Sequence, residues 1–259
     1  MTAREALAEA ERRLERAGVE SPRVDAELLV AHALGVSRTG LYADLDAEVD
    51  GLEPLLARRE SREPLAYVLG EWGFRHLTLK TDLRALVPRP ETEILVERAL
   101  TLIAGIEAPD VLDIGVGSGA IALAFADERR DAHVVGVDVS EDALALAREN
   151  ADRLRLDVEL QHGGLERAAD GWDLVISNPP YVDSLDGLQP ELHREPRQAL
   201  IGNGFHRRIA QVAKTRFLAL EVGDGQASDV AAALDLAGYR HVTITPDLAG
   251  IERVVDGER

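Results

Sequence analysis

An α/β protein is what this 259-residue chain predicts. Residues 4–70 carry helical periodicity, apolar strands alternate with helical stretches after Pro109, and the first of those strands runs into a glycine-rich turn. Together these describe a helical amino-terminal bundle followed by a largely parallel sheet covered by helices.

Leu7 and Leu14, and then Ala10 and Ala17, recur at seven-residue spacing among charged residues, which lays one apolar stripe along a first helix. Ser21-Pro22 predicts a second helix start, the hydroxyl capping free amides and proline taking the first helical position ahead of the apolar run 26–34. Gly35 ends that helix. Between Gly70 and Pro88 the period shortens, and Phe74, Leu77 and Leu79 followed by Ala85-Leu86-Val87 predict a pair of strands forming a hairpin. Arg89-Pro90-Glu91-Thr92-Glu93 opens the next helix, with carboxylates in the first turn where the helix dipole favours negative charge. Strands at 111–114, 134–137, 158–160, 174–176 and 217–220 then alternate with helical stretches, the pattern of a parallel sheet. The last two apolar stretches, 242–245 and 253–255, are joined by a turn around Pro246 and Gly250 too short for a crossover helix, so they pair antiparallel. The expected division is a helical domain at 1–70, a hairpin linker at 71–88 and a seven-stranded domain at 89–259.

Composition removes several function classes. With no cysteine there is no disulfide framework, thiolate metal site or cysteine nucleophile. The seven histidines include no pair at the spacing of a helical metal site, so no metal is expected. Against 29 basic residues stand 47 acidic ones, and a net charge of −18 repels phosphate backbones, so no direct nucleic-acid binding is expected. Apolar runs fall far short of the roughly 20 residues of a membrane helix, and the first residues enter an amphipathic helix without a secretory layout. The expectation is a cytoplasmic monomer with no membrane contact.

The turn after the first sheet strand reads Asp113-Ile114-Gly115-Val116-Gly117-Ser118-Gly119-Ala120. Such a glycine turn lets a ligand approach bare backbone. The next strand ends at Asp138, where a carboxylate can hold two ribose hydroxyls, so a nucleoside-containing ligand is implied. The competing role for Asp138 is a plain helix cap. Taken alone the loop also fits a dinucleotide pattern, and a dehydrogenase-like or non-catalytic nucleoside binder is the rival. Asp113 argues against a pyrophosphate, because its charge would be unfavourable there, whereas the α-ammonium group of S-adenosylmethionine would attract it. Its alternative use is to cap backbone amides of the turn.

The strand at 174–176 leads through Ser177 into Asn178-Pro179-Pro180-Tyr181, at the sheet edge where open α/β folds place ligands. Each residue has a use if the substrate is a planar amide or amino nitrogen. Asn178 accepts one N–H through its side-chain oxygen and the Pro179 carbonyl accepts the other. Both then stabilise the positive charge that develops as a methyl group arrives from sulfur. Pro179 and Pro180 lock the backbone, and Tyr181 offers a ring face for a flat amide or base.

Asp113 to Gly119, Asp138 and Ser177-Asn178-Pro179-Pro180-Tyr181-Val182 resemble the class I S-adenosylmethionine-dependent methyltransferases that act on amino or amide nitrogens. Pro88-Arg89-Pro90-Glu91-Thr92-Glu93 narrows the likeness, together with the segment from Ser21-Pro22-Arg23 to Leu29, Glu63-Pro64-Leu65-Ala66-Tyr67 and Glu195-Pro196-Arg197. With these the chain resembles, over nearly its whole length, the HemK/PrmC family of peptide chain release factor glutamine methyltransferases. The resemblance implies a Rossmann-like seven-stranded sheet and N5-methylation of the glutamine in the Gly-Gly-Gln loop of bacterial release factors. It places S-adenosylmethionine on Asp113, Gly115, Val116, Gly117, Ser118, Gly119, Asp138 and Asn178. Asn178, Pro179, Pro180 and Tyr181 fall to the glutamine, with catalysis on Asn178, Pro179 and Tyr181.

Two places depart from the family. His162-Gly163-Gly164-Leu165 stands where an acidic residue followed by an aromatic one usually lines the adenine pocket, and the stretch 200–217 is shorter, without the usual Pro-Gly-Gly. The helical domain is expected to grip the protein substrate. Arg89 and Glu91 either orient the substrate loop or cap a helix, and Glu221 either approaches the site or is structural. The same acceptor geometry also serves a flipped adenine or guanine amino group, so a nucleic-acid methyltransferase is the alternative, as is a ribosomal protein glutamine methyltransferase.

Overall fold

Thr2 and Glu5 begin the first helix by a capping box. The Thr2 hydroxyl accepts the Glu5 amide at 3.3 Å and the Glu5 carboxylate accepts the Thr2 amide at 2.9 Å. That helix, α1 (Ala3–Arg16), buries Ala3, Ala6, Leu7, Ala10 and Leu14, one stripe at helical spacing. Helix α2 (Pro22–Leu34) has proline in its first turn and ends at Gly35 in the left-handed conformation, φ 68°. The expected Ser21 hydroxyl cap is absent, because Ser21 sits at φ −121°, ψ 62°, away from the extended backbone that brings a cap oxygen over the turn. Helices α3 (Leu52–Glu60) and α4 (Leu65–Leu69) complete an apolar cluster that includes Leu14, Leu29, Leu41 and Leu56, each almost fully buried.

The computed structural model describes all 259 residues, and they fall into two units. The first, Met1–Glu71, also contains Leu188–Arg194, which reaches it from the middle of the second unit's sequence. Charge pairing holds that short segment within the first unit. The Arg62 guanidinium donates to both Glu191 oxygens at 2.7 Å, and Arg59 reaches Glu191 at 2.8 Å and Asp25 at 2.7 Å.

The second unit comprises Trp72–Gly187 and Glu195–Arg259. The hairpin, β1 (Glu71–Phe74) and β2 (Leu77–Lys80), turns at Arg75, earlier than expected. Ala85-Leu86-Val87 is not its second strand. The Val87 amide donates to the Glu195 carboxylate at 3.0 Å, and Pro88 has no N–H to continue a ladder. Helix α5 (Thr92–Leu102) starts three residues after Arg89, since a tight turn made by Thr92 N to Arg89 O and Glu93 N to Pro90 O precedes it.

After α5 the chain alternates: β3 (Asp110–Ile114), α6 (Ala120–Glu128), β4 (His133–Asp138), α7 (Glu141–Leu154), β5 (Glu159–His162) and β6 (Trp172–Ser177). Two short helices, α8 (Arg197–Leu200) and α9 (Phe205–Val212), lead to β7 (Thr215–Glu221), α10 (Ala227–Leu236), β8 (Arg240–Pro246) and β9 (Glu252–Glu258). The sheet order is β5-β4-β3-β6-β7-β9-β8. The first five of these strands are parallel, and β9 runs antiparallel to both β7 and β8, as the short Pro246–Gly250 turn requires. Residues alternate between two cores. Val111, Leu174 and Ile176 pack with α5 and α6, while Leu112, Val175 and Leu218 pack with α9 and α10. Strand order reverses between β3 and β6, and a crevice outside the carboxyl ends of such strands is where open sheets hold ligands. No helix is long and apolar enough to cross a membrane.

Candidate active site

The Ser177 hydroxyl ties the two critical strand ends together by donating to the Ile114 carbonyl at 2.7 Å, fully buried. Beyond them lies a cavity of about 350 Å³ whose walls include Gly115, Gly117, Asp138, Asn178, Pro179, Pro180 and Glu166. Six of the eleven expected site residues thus share one wall. Asp113, Val116, Ser118, Gly119 and Tyr181 do not line it.

The glycine turn is shaped by contacts that only glycine tolerates. Gly119 sits at φ +90°, and a Cβ there would lie 2.8 Å from Leu123 Cδ1 of α6. On β4, a Cβ at Gly136 would lie 2.6 Å from Val116 Cγ2, so the strand without a side chain lets the loop settle onto it. Gly115, at φ +77°, faces open space. The Val137 carbonyl accepts the amides of both Gly115 and Val116, at 2.8 and 3.0 Å, which fixes the turn to the neighbouring strand.

Asp138 accepts the Gly117 amide on one carboxylate oxygen at 3.0 Å and the Ser140 amide on the other at 2.9 Å. It is not the cap of α7, because Ser140 fills that position and accepts the Ala143 amide. A carboxylate has about four lone-pair sites, so Asp138 keeps acceptor capacity toward the cavity. Asp113 is completely buried. Its Oδ2 accepts the Ala122 amide at 3.2 Å and its Oδ1 has no partner. The capping role is therefore present for one oxygen and leaves the other free.

Burial, and secondarily the charge of Asp138, pushes the Asp113 carboxyl up to about 8 from an ordinary 3.8. The folded protein then holds a proton that the unfolded chain releases, so this group favours folding at low pH and its contribution is lost as pH rises from about 4 through about 8. Asp113→Asn should remove that slope. In ligand-free protein, the melting temperature of the variant minus that of the wild type should grow steadily over this range; parallel curves would refute the assignment.

Near Gly163-Gly164, where the sequence is expected to depart from the family, the carboxylate of Glu166 lines the cavity. The Glu166 Oε1 atom accepts the Gly164 amide at 2.7 Å, a bond that holds its carboxyl below the usual range. A Cβ at Gly164 would stand 2.9 Å from the other oxygen, so a side chain at 164 would displace it. Within 200–217, the stretch expected to be shorter than in the family, Gly202 is closely packed. Gly202 donates to the Val182 carbonyl at 3.1 Å, and a Cβ on it would sit 2.8 Å from the Pro180 ring.

Asn178 is half-buried and its amide nitrogen donates to Thr92 Oγ1 of α5 at 3.2 Å. That hydroxyl donates in turn to Glu221 Oε2 at 2.6 Å, at the end of β7. Tyr181 packs beside His206 with ring centroids 6.4 Å apart, its hydroxyl lies 3.5 Å from Glu221 Oε1, and its carbonyl accepts from Gln226 at 3.0 Å. Burial first, and then the Glu221 charge, pushes the Tyr181 hydroxyl up to about 12, so it stays protonated. Arg89 pairs with the buried Glu195 and so joins the 88–93 motif to the 195–197 motif. Sequence reading missed Glu166, Phe205 and Arg208 on this wall, and it missed the part played by Thr92, whose partners Asn178 and Glu221 are distant in the chain.

Residues 5–70 match the PrmC N-terminal domain, and residues 91–219 match the Methyltransferase small domain. The chain is 39% identical over 266 residues to the release factor glutamine methyltransferase of Caulobacter vibrioides, with 95% of this chain and 92% of that protein covered. It is 39% identical over 277 residues to the protein of the same name from Deinococcus radiodurans, covering 100% of this chain and 99% of the relative. Among solved structures, the hMettl16 catalytic domain in complex with a MAT2A 3'UTR hairpin superposes with a TM-score of 0.59 at 14% identity, over 79% of this chain and 80% of that one, a likeness of fold alone. With relatives of this identity along essentially its full length, the chain belongs to the release factor glutamine methyltransferase family.

Proposed function

We propose that this protein transfers a methyl group from S-adenosylmethionine to the side-chain amide nitrogen of the Gly-Gly-Gln glutamine in bacterial peptide chain release factors. The observation that carries the reading is the Asn178 amide, tethered by its nitrogen to Thr92 at the cavity wall, which leaves its oxygen as a fixed acceptor. We assign substrate gripping to the helical residues 1–70, a linking role to the hairpin region 71–88, and methyl transfer to 89–259 acting as a cytoplasmic monomer.

The residues present fit S-adenosylmethionine. Asp113 Oδ1 is buried without a partner, and on giving up its proton the carboxyl would become a carboxylate suited to an ammonium group, while Gly115 leaves open the space a side chain would take. Gly115, Val116, Gly117, Ser118 and Gly119 would shape the bed of the cofactor, Asp138 would accept its ribose hydroxyls, and Glu166 its adenine amino group. When bound, the cofactor supplies an electrophilic methyl group on sulfur. Asn178 Oδ1 and the Pro179 carbonyl accept the two N–H bonds of the target amide, hold the nitrogen, and stabilise the charge that grows on it. The two prolines keep these acceptors from reorganising, and Tyr181 backs the flat amide with a ring held by Gln226 and His206. No strong base is needed before transfer.

Glu166→Ala should weaken S-adenosylmethionine binding by about tenfold in calorimetry, the value of a charge-assisted hydrogen bond in a partly solvated setting. Unchanged affinity would remove Glu166 from the adenine side of the site. The function itself is tested by mass spectrometry on a purified bacterial release factor, a ribosomal protein and an RNA, each incubated with enzyme and S-adenosylmethionine. One methyl on the Gly-Gly-Gln glutamine is the expected result. Methylated RNA or ribosomal protein with an unmodified release factor would overturn it.

A further inference from the structure

A side-chain amide looks nearly the same from either end, and Asn178 can accept a substrate N–H only if its oxygen, not its nitrogen, faces the cavity. What chooses the end is a chain of hydrogen bonds leading away from the cavity. Glu221 at the end of β7 is almost fully buried, and its Oε2 takes the proton of the Thr92 hydroxyl at 2.6 Å. With its one proton committed, Thr92 presents only lone pairs to Asn178, and only the amide nitrogen can bond to them, at 3.2 Å.

We propose that Thr92 and Glu221 are positioning residues that fix the orientation of the Asn178 amide, so that its oxygen faces the substrate nitrogen. The proposal rests on the acceptor role given to Asn178. It assigns a use to Thr92 within the 88–93 motif, and it makes Glu221 part of the machinery without contact to substrate. Three elements converge on it: α5 brings Thr92, β7 brings Glu221, and the end of β6 brings Asn178.

The arrangement has a pH signature. An ionised Glu221 can only accept from Thr92, whereas a protonated one can donate to it, freeing the threonine proton to point at Asn178 and permitting the reversed amide. The groups that face Glu221 are Glu91 ahead of α5, Tyr181 after β6, Arg253 on β9, and His206 on α9, whose ring nitrogen bonds the Glu221 carbonyl at 2.8 Å. Burial first, with the Glu91 charge adding to it, raises the Glu221 carboxyl to about 7, while Thr92, Arg253 and Tyr181 oppose the rise. Burial also lowers His206 below its ordinary 6.5. Methyl transfer should therefore increase as pH rises through about 7.

The test is single-turnover methyl transfer to a purified release factor by the full-length enzyme, with S-adenosylmethionine affinity measured alongside. Thr92→Val should slow transfer by about 10–100-fold while leaving that affinity nearly unchanged, and Thr92→Ser should restore most of the rate. In an Asn178→Ala background, Thr92→Val should slow transfer by less than about twofold, because the amide it orients is gone. Glu221→Gln should fold, bind cofactor and lose the rate increase near pH 7. Equal losses from Thr92→Val in both backgrounds, no rescue by serine, or an unchanged pH profile in Glu221→Gln would overturn the positioning role. A wild-type rate in Asn178→Ala alone would overturn the acceptor role beneath it, which separates the two failures.

Discussion

Asn178→Ala should bind S-adenosylmethionine with wild-type affinity and lose methyl transfer by about 10²–10³-fold, the effect of deleting one preorganised charge-stabilising partner in other active sites. The reason lies in when the oxygen acts. Positive charge grows on the target nitrogen only as the methyl arrives, so the acceptor favours the transition state over the bound ground state, and its loss falls on kcat. The alanine variant also vacates a bond to Thr92 that is local to α5 and β6, so little of the fold should move. Calorimetry with S-adenosylmethionine and single-turnover transfer to a release factor separate the two effects. Transfer at the wild-type rate would remove Asn178 from the mechanism, and loss of cofactor binding in parallel would make it a binding residue.

Arg59→Ala should destabilise the helical unit by about 3–5 kcal/mol, because one buried guanidinium serves several carboxyl and carbonyl groups. Arg59 and Asp25 are 6% and 7% exposed, and the guanidinium also reaches Glu191 and the Glu63 carbonyl. Glu191 keeps Arg62, but Asp25 loses its guanidinium partner and would be left as an uncompensated buried charge. Hydrogen exchange on the full chain, read at the amides of α1 to α3, measures the loss in the unit concerned without assuming that the whole protein unfolds in one step. A companion variant combining Asp25→Leu with Arg59→Met should recover most of the stability, since a buried pair replaced by apolar groups is often neutral. Protection unchanged in the single variant would show that water reaches Asp25.

The elements legible in the sequence are those set by period and by residues with only one backbone use. Leu7 and Leu14 mark the buried stripe of α1, Gly35 closes α2 in the left-handed region, and the five parallel strands appear where apolar runs alternate with helical stretches. The brief turn between β8 and β9 likewise compels antiparallel pairing whatever surrounds it. Composition misleads where a remote partner, or the backbone actually adopted at a helix start, decides the outcome. Ala85-Leu86-Val87 has the composition of a strand, but the buried carboxylate of Glu195, more than a hundred residues away, takes the Val87 amide. Pro90 suits a helical first turn, yet the helix waits for Thr92. Ser21 has a capping side chain on a backbone that cannot use it.

The candidate site divides in the same way. The chemistry on offer is carried by single residues: a glycine turn, an acidic strand end at Asp138, and amide and carbonyl acceptors at Asn178 and Pro179 held by proline. Those properties are local, because glycine, proline and a carboxylate carry them into any fold. Which groups meet across the chain depends on packing. It left one oxygen of the buried Asp113 without a partner, gave the Val87 amide to Glu195, and joined Asn178 to Glu221 through Thr92. A hydrogen bond depends on which groups meet within about 3 Å, and for residues separated by scores of positions only the packed sheet brings them that close.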